Sequence, residues 1–463
     1  MSSNRSDGAI ATPLIVYVDV TDTLSSPWTA GIQRVVRGMV AGFDAVEAER
    51  GTVHCVPLIR VDGSPRFRVL DASERARLRT APPAPARPAA AAAERPRPVR
   101  DFLDAHLPEW ATTAGRRVIR PIRHAAQLAR RQIVRIRSER RAADQIVRTF
   151  DRGAVWFDVD AVWNQTEIDR ARLYQRLHES GVRVVPFVHD VLPIERPDWF
   201  VPSLVEVFVA MLATQVRSAD EVLTNSASSA ASVAALAARL GRSGLRVTPV
   251  ELGADPIGVP EPGAGSAAAE APRPAPVLPA GLGGRPYVLV VGTIEPRKNH
   301  RCALDAVRRL ARDAPELPVD LVVAGRAGWN AGDVIDDLRA DRSGSVHWFD
   351  DLDDGTLRLV VERATVVLVP SITEGYGLPV VEALAAGVPV LSSNGGALAE
   401  LGARLPGAVE LLDPGDPSVW ADAIARHLRD DDWHAVAVAA ARSAVVPDWR
   451  ATAQEVVDAL RAT

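Results

Sequence analysis

Cysteine, lysine and long apolar runs are all scarce in these 463 residues, and each scarcity removes a class of protein. The two cysteines, Cys55 and Cys302, stand far apart with no metal or redox spacing around them. Both are expected to be reduced and structural, and a disulfide scaffold or zinc finger is excluded. No run of about eighteen uncharged apolar residues occurs, so no membrane-crossing helix is expected. The opening MSSNRSDGAIATP lacks the basic and apolar regions of a signal peptide, which implies a cytoplasmic address. A net charge of −4 gives no global attraction for nucleic acid.

Lysine occurs once, at 298; every other member of the 54 basic residues is arginine. An ammonium is a compact point charge on a flexible stem, whereas a guanidinium is a planar fork, so the exception draws attention to Lys298 as a phosphate ligand. At 47% hydrophobic content and this length, the chain suits a globular protein of two domains, each with its own core.

The most informative stretch is VPSITEGYGLPVVEALAAGVPVLSS, residues 369–393. The apolar run 365–369 reads as a strand buried on both faces, Gly375, Gly377 and Pro379 break it, and VVEALAAG resumes at helical spacing until Gly387. Such a strand–turn–helix aims backbone N–H groups and the positive helix end at a ligand, a setting that favours phosphate. The same motif carries two carboxylates, Glu374 and Glu382, which would repel a diphosphate but accept hydrogen bonds from sugar or ribose hydroxyls. Together these features point to a nucleotide sugar.

EGYGLPVVE resembles the Glu-x7-Glu signature of family 4 glycosyltransferases, retaining enzymes of the GT-B fold. The resemblance implies an α/β protein of two Rossmann-like domains with an interdomain cleft. It also implies that Glu382 holds the donor ribose, that Glu374 contacts the donor sugar, and that Gly375, Tyr376, Gly377 and Leu378 line the donor site. YVLVVG (287–292) followed by TIEPRKN resembles the start of the nucleotide-binding half, with Lys298 and Arg297 as ligands of the donor diphosphate. Many relatives carry an arginine directly after the strand's glycine; here the residue is Thr293, kept as a donor-site candidate, with Arg297 as the candidate replacement for the missing charge. RAGW (326–329) resembles a loop near the base and makes Arg326 a secondary donor candidate.

In the N-terminal half, LIVYVDV (14–20) reads as the first strand, and Gly31 precedes an amphipathic helix. In the family that the chain resembles this loop carries two or more glycines that face donor phosphate and acceptor; here it has Gly31 alone, and the resemblance makes Gly31, Trp28 and Arg34 acceptor-side candidates, with Trp28 equally readable as packing. In VRVVPFVHDVLPI (182–194), His189 and Asp190 follow the strand; the motif resembles the family's His-Asp, which borders the donor sugar, while the plain reading is a structural histidine and a loop cap. Asp190 is assigned to the acceptor side. Ser226 or Ser228 is expected to cap a helix in ADEVLTNSASSAASV (219–233). Asp158 and Asp160 form a near match to a metal-binding Asp-x-Asp, but the two-domain pattern argues for no metal site.

The organisation read from the chain is an N-terminal domain at 11–256, a linker at 257–284, a nucleotide-sugar domain at 285–444, and a closing helix at 445–463 that returns to the N-terminal domain with Trp449 as packing. Within the first domain, a Pro/Ala/Arg-rich insert at about 75–115 reads as a loop or linker. It precedes a basic amphipathic helix at about 116–149, which would lie either on anionic lipid or on its own sheet.

The expected activity is metal-independent transfer of a hexose, with retention, from a nucleotide diphosphate sugar to a saccharide or lipid-linked saccharide in polysaccharide biosynthesis. No cofactor beyond the donor is implied. GTIEPRKN looks like the form found in mannosyl- and rhamnosyl-type transferases, which makes GDP-mannose the first guess. The alternative is a non-catalytic nucleotide-sugar-binding subunit; an epimerase or phosphorylase on the same fold matches the motifs less well.

Overall fold

The computed structural model describes residues 12–26, 31–61, 64–79, 145–254 and 276–462. The first half builds a seven-stranded sheet in the order β3-β2-β1-β4-β5-β6-β7. Its strands are β1 (Leu14–Asp19), β2 (Val53–Arg60), β3 (Phe67–Val69), β4 (Val155–Asp158), β5 (Arg183–Val188), β6 (Glu221–Thr224) and β7 (Arg246–Pro249). All pairings are parallel except the edge pair of β2 and β3.

The second half builds a six-stranded parallel sheet, β10-β9-β8-β11-β12-β13. These strands are β8 (Tyr287–Val291), β9 (Asp320–Ala324), β10 (Val346–Phe349), β11 (Val366–Val369), β12 (Val390–Ser393) and β13 (Val409–Leu412). Continuous β-branched runs form the central strands because helices cover both faces, and every residue of β4, β9, β11 and β12 is buried.

The helices of the described residues include α1 (Gly31–Arg50), α2 (Ala227–Arg239), α3 (His300–Asp313), α4 (Leu378–Ala385), α5 (Ala397–Arg404) and α6 (Trp449–Arg461). Ser226 is the cap that starts α2, its hydroxyl accepting from the Ser229 N–H. Helix α6 returns to the first domain, where Trp449 lies so close to α1 that a Cβ at Gly38 would stand 2.2 Å from its ring. Glycine at that position is a packing requirement, and Trp449 is buried there.

In both sheets the strand order reverses beside the first strand, between β1 and β4 and between β8 and β11. Loops leaving the carboxyl ends of two such strands diverge to opposite faces and leave a crevice, where open α/β sheets bind ligands. The loops that carry Lys298 and Glu374 follow β8 and β11, so the topology brings them together although 76 residues separate them in sequence.

The basic helix expected at 116–149 lies outside the described residues as far as 144, as does most of the insert before it. Its last residues, 145–149, are not helical, a correction to that expectation. Ile146 bridges Arg68 in antiparallel fashion and the Val147 N–H donates to the Phe67 carbonyl, so the segment satisfies the open edge of β3 instead. Among the described residues no helix is long and apolar enough to cross a membrane.

Candidate active site

The turn after β8 is a short 3-10 segment, Pro296–Lys298, ended by Asn299 in the left-handed conformation. The Asn299 amide donates to the carbonyls of Pro370 and Pro414 at 3.1 and 2.9 Å, and the Ile372 N–H donates to the Arg297 carbonyl at 2.8 Å. The loops after β8, β11 and β13 are thereby fastened to one another. Lys298 Nζ donates to Glu374 at 2.6 Å, and the Ser371 hydroxyl donates to the same carboxylate at 2.7 Å. Arg297 bonds Glu374 with one arm and Glu295 with Nε at 2.8 Å.

Burial alone would raise the Glu374 carboxyl, but Arg297 and Lys298 outweigh it and hold the group down at about 2. Glu374 is therefore ionised throughout the working range. Its neighbour in the signature, Glu382, lies on α4 and is also buried, and burial raises its carboxyl against the opposing charge of Arg34. Arg34, in the first turn of α1, reaches across the cleft to Glu382 at 2.8 Å.

The turn between the two glutamates is built by its glycines. Gly377 has φ +106°, a left-handed position that precedes α4, with Leu378 and Pro379 opening the helix. Gly375 lies against the first domain, where a Cβ would fall 2.4 Å from the His189 carbonyl oxygen. Only glycine allows the two backbones to meet there. The Ser229 hydroxyl is shared between the His189 and Gly375 carbonyls at 3.3 and 3.4 Å.

His189 donates through Nε2 to the Val159 carbonyl at 2.8 Å, and burial pulls its imidazole down to about 4. A neutral ring with its Nε2 proton engaged is the resulting state at neutral pH. Asp190 accepts from the Leu192 N–H at 3.0 Å. Burial raises its carboxyl while Arg297 opposes the rise, which puts this first-domain acid within electrostatic reach of the second-domain cluster. Asp190, read as acceptor-side, thus faces the Arg297–Glu374 pair.

The remaining expected residues divide. Gly31 lies beside Leu378, whose Cδ1 would be 3.8 Å from a Cβ on Gly31, so the amino ends of α1 and α4 adjoin. Thr293 and Arg326 stand on adjoining loops, with the Ile294 N–H donating to the Arg326 carbonyl at 2.8 Å. The Tyr376 hydroxyl, placed at the donor by the sequence reading, donates to the Leu252 carbonyl at 2.9 Å and joins the domains. Trp28 lies outside the described residues.

Sequence reasoning missed three contacts. Glu295 pairs with Arg297, and the only local signal for it was its place two residues earlier. Glu400, in α5, accepts from the N–H groups of Ala227 and Ser228 at 2.9 and 2.7 Å, so one domain caps a helix of the other. Trp329 donates from Nε1 to the Trp199 carbonyl at 2.8 Å and joins the two domains at a further point.

Asp158 and Asp160 do not share a ligand position. Asp158 bonds Trp156 Nε1 at 2.7 Å, Arg170 at 3.2 Å and the Tyr174 hydroxyl, whereas Asp160 accepts from Thr23 and the Ala161 N–H. Among the described residues no three His, Cys, Asp or Glu side chains are grouped to hold a metal ion.

Residues 285–430 match the family described as Glycosyl transferases group 1. The serotype-specific mannosyltransferase WbdA of Escherichia coli is 31% identical over 235 residues, covering 49% of this chain and 27% of that protein. The O-antigen chain mannosyltransferase B of Escherichia coli is 35% identical over 155 residues, 33% of this chain and 39% of that protein. The matches therefore span well under half of these relatives' own lengths. In fold, Anabaena HepE, solved in complex with UDP and glucose, superposes over 97% of this chain and all of its own with a TM-score of 0.55 at 14% identity. The two parallel-sheet domains have the GT-B fold.

Proposed function

We propose that this chain, whose residues 285–430 form a Glycosyl transferases group 1 domain, is a retaining hexosyltransferase. In this reading it moves a hexose from a nucleotide diphosphate sugar to a hydroxyl of a saccharide or lipid-linked saccharide, in polysaccharide synthesis at the cytoplasmic side. Mannose is the first choice of sugar, supported by the mannosyltransferase relatives. The single observation that carries the reading is the ion-paired contact of Lys298 with Glu374 at the switch point between β8 and β11, with buried Glu382 on the following helix.

The chemistry follows from that placement. Cleavage of the glycosidic phosphate bond builds negative charge on the leaving diphosphate, and Lys298, Arg297 and the N–H groups at the start of α4 are preorganised to receive it. Glu374 fixes both cations and faces the donor sugar; Glu382 accepts from the ribose hydroxyls. His189, neutral and held by Val159, lines the sugar without trading protons. The leaving phosphate oxygen takes the proton of the incoming hydroxyl on the same face, which gives retention without a protein nucleophile. No cofactor and no metal is required.

A thermal-shift screen over GDP-, UDP-, dTDP- and ADP-sugars identifies the donor, and NMR of the product formed with a saccharide acceptor reads the anomeric configuration. The expected result is one stabilising donor and a product of retained configuration, formed equally in the presence of EDTA. Binding without transfer or donor hydrolysis would favour the alternative of a non-catalytic nucleotide-sugar-binding subunit, and inversion would overturn the mechanism.

A further inference from the structure

Arg297, Lys298 and Arg34 each pair with a carboxylate at the cleft, but their attachments differ. Arg297 is held by both Glu295 and Glu374, and Lys298 is fixed on Glu374. Arg34 pairs with Glu382, whose side chain is 8% exposed while that of Arg34 is 31% exposed. Its partner is thus the carboxylate that the donor's ribose would claim, and its own side chain is the more open of the two.

Its position in the fold adds a second observation. Arg34 lies in the first turn of α1, and Gly31 at the start of that helix adjoins Leu378 at the start of α4. Both helices therefore turn N–H groups and the positive ends of their dipoles to one region of the cleft, which is electrostatically suited to an anion. A guanidinium three residues into one of those helices, and bonded to a residue four positions into the other, borders that region. Meanwhile the position directly after Gly292 offers a hydroxyl, Thr293, and no charge.

We propose that Arg34 changes partner when the donor binds: ribose hydroxyls take over the Glu382 carboxylate, and the released guanidinium turns to the diphosphate. This rests on the nucleotide-sugar reading above. Arg34 then belongs to the donor site and not to the acceptor side, and it supplies a cation from the first domain beside the fixed Arg297 and Lys298. The exchange conserves ion pairing: the free protein holds Arg34 against a carboxylate, the loaded protein holds it against a phosphate, and Glu382 moves from a charged partner to two hydroxyl donors. A bidentate guanidinium suits a diphosphate, and it would hold the donor between the adjoining amino ends of α1 and α4.

Isothermal titration of GDP and guanosine, and of UDP and uridine, into the full-length wild type, Arg34→Ala, Arg34→Gln and Arg34→Lys tests this. The expected result is a loss of at least tenfold in affinity for the preferred diphosphate in the alanine and glutamine variants. Affinity for the matching nucleoside stays within threefold of wild type or tightens, because Glu382 no longer gives up an ion pair. Arg34→Lys recovers part of the diphosphate affinity. An equal loss for nucleoside and diphosphate would show that Arg34 only orients Glu382, and tighter binding of both would show that it only plugs the site; either result overturns the exchange. A wild type that binds neither nucleotide, nor any in the wider screen, removes the nucleotide-sugar reading itself, whereas a wild type that binds with unaltered variants removes this inference alone. Unchanged circular dichroism and melting of Arg34→Gln separate a binding loss from misfolding.

Discussion

Arg170 and Arg297 each lie between two carboxylates at the carboxyl edge of a parallel sheet, beside the point where strand order reverses. Arg170 bonds Asp19 at 2.8 Å and Asp158 at 3.2 Å, at the ends of β1 and β4, and its side chain is 1% exposed. Arg297 bonds Glu295 and Glu374 beside β8 and β11, and its side chain is 22% exposed. The first cluster is closed off from solvent, with Tyr174 and Trp156 bonded to Asp158 and Gln165 Oε1 accepting from Arg170. The second opens on the cleft and includes a lysine and a cross-domain arginine. One fold element has been used twice, once as a sealed support for the first domain and once as a charged floor for a ligand; burial, and not residue type, separates the two.

The largest effect should come from breaking the sealed cluster. Arg170→Met leaves Asp19 and Asp158 buried without a counter-charge, and stability to urea is expected to fall by about 3–5 kcal/mol. In the open cluster the same kind of change should act on rate. Lys298→Ala is expected to lower turnover about 10²–10³-fold, as for loss of a preorganised donor to developing charge, and Glu374→Gln by a similar factor because it releases the cations that the carboxylate fixes, with urea midpoints close to wild type. Equal stability losses at both clusters would erase the distinction.

Much of the second half was legible from sequence because its signals are local. A β-branched run, two glycines and a proline in nine residues define β11, its turn and α4, and a lone lysine after β8 marks its partner loop. Contacts across the cleft were not legible. Arg34 follows β1 and was read with the acceptor, yet it bonds Glu382. Tyr376 sits inside the donor motif, yet its hydroxyl serves Leu252. Gly375 reads as a turn glycine, yet its necessity lies in the His189 carbonyl of the other domain. Such pairs depend on how two domains dock, and nothing within a few residues of either partner encodes it. The tail of the supposed 116–149 helix failed for a related reason: the edge of β3 recruited it.

The open cluster also predicts a pH response in donor binding. Glu374 stays ionised down to about 2, so it does not titrate near neutrality. Glu382 faces Arg34 from α1, Lys298 from the β8 loop and Asp354 from the segment before β11, and burial, the largest influence, raises its carboxyl above the ordinary value. Protonation removes an acceptor for ribose, so donor affinity should fall as pH is lowered through that raised value. Glu382→Gln should flatten the acid limb of donor affinity measured by titration between pH 4 and 7. A persistent limb would assign the response elsewhere.

The smallest effect is expected at the rim. Trp329→Phe removes the hydrogen bond to the Trp199 carbonyl while keeping an aromatic ring against Phe200. A neutral hydrogen bond is worth about 1 kcal/mol, so donor KM should rise up to about fivefold with kcat unchanged. A change in kcat alone would move Trp329 from closing the cleft to the chemistry.

The most direct measurement is titration of the donor found in the screen into wild type, Lys298→Ala and Glu382→Gln. Saturable one-to-one binding in the wild type, weakened in both variants, is the predicted result. Wild-type affinity retained in both variants would place the nucleotide sugar somewhere other than between β8, β11 and α4.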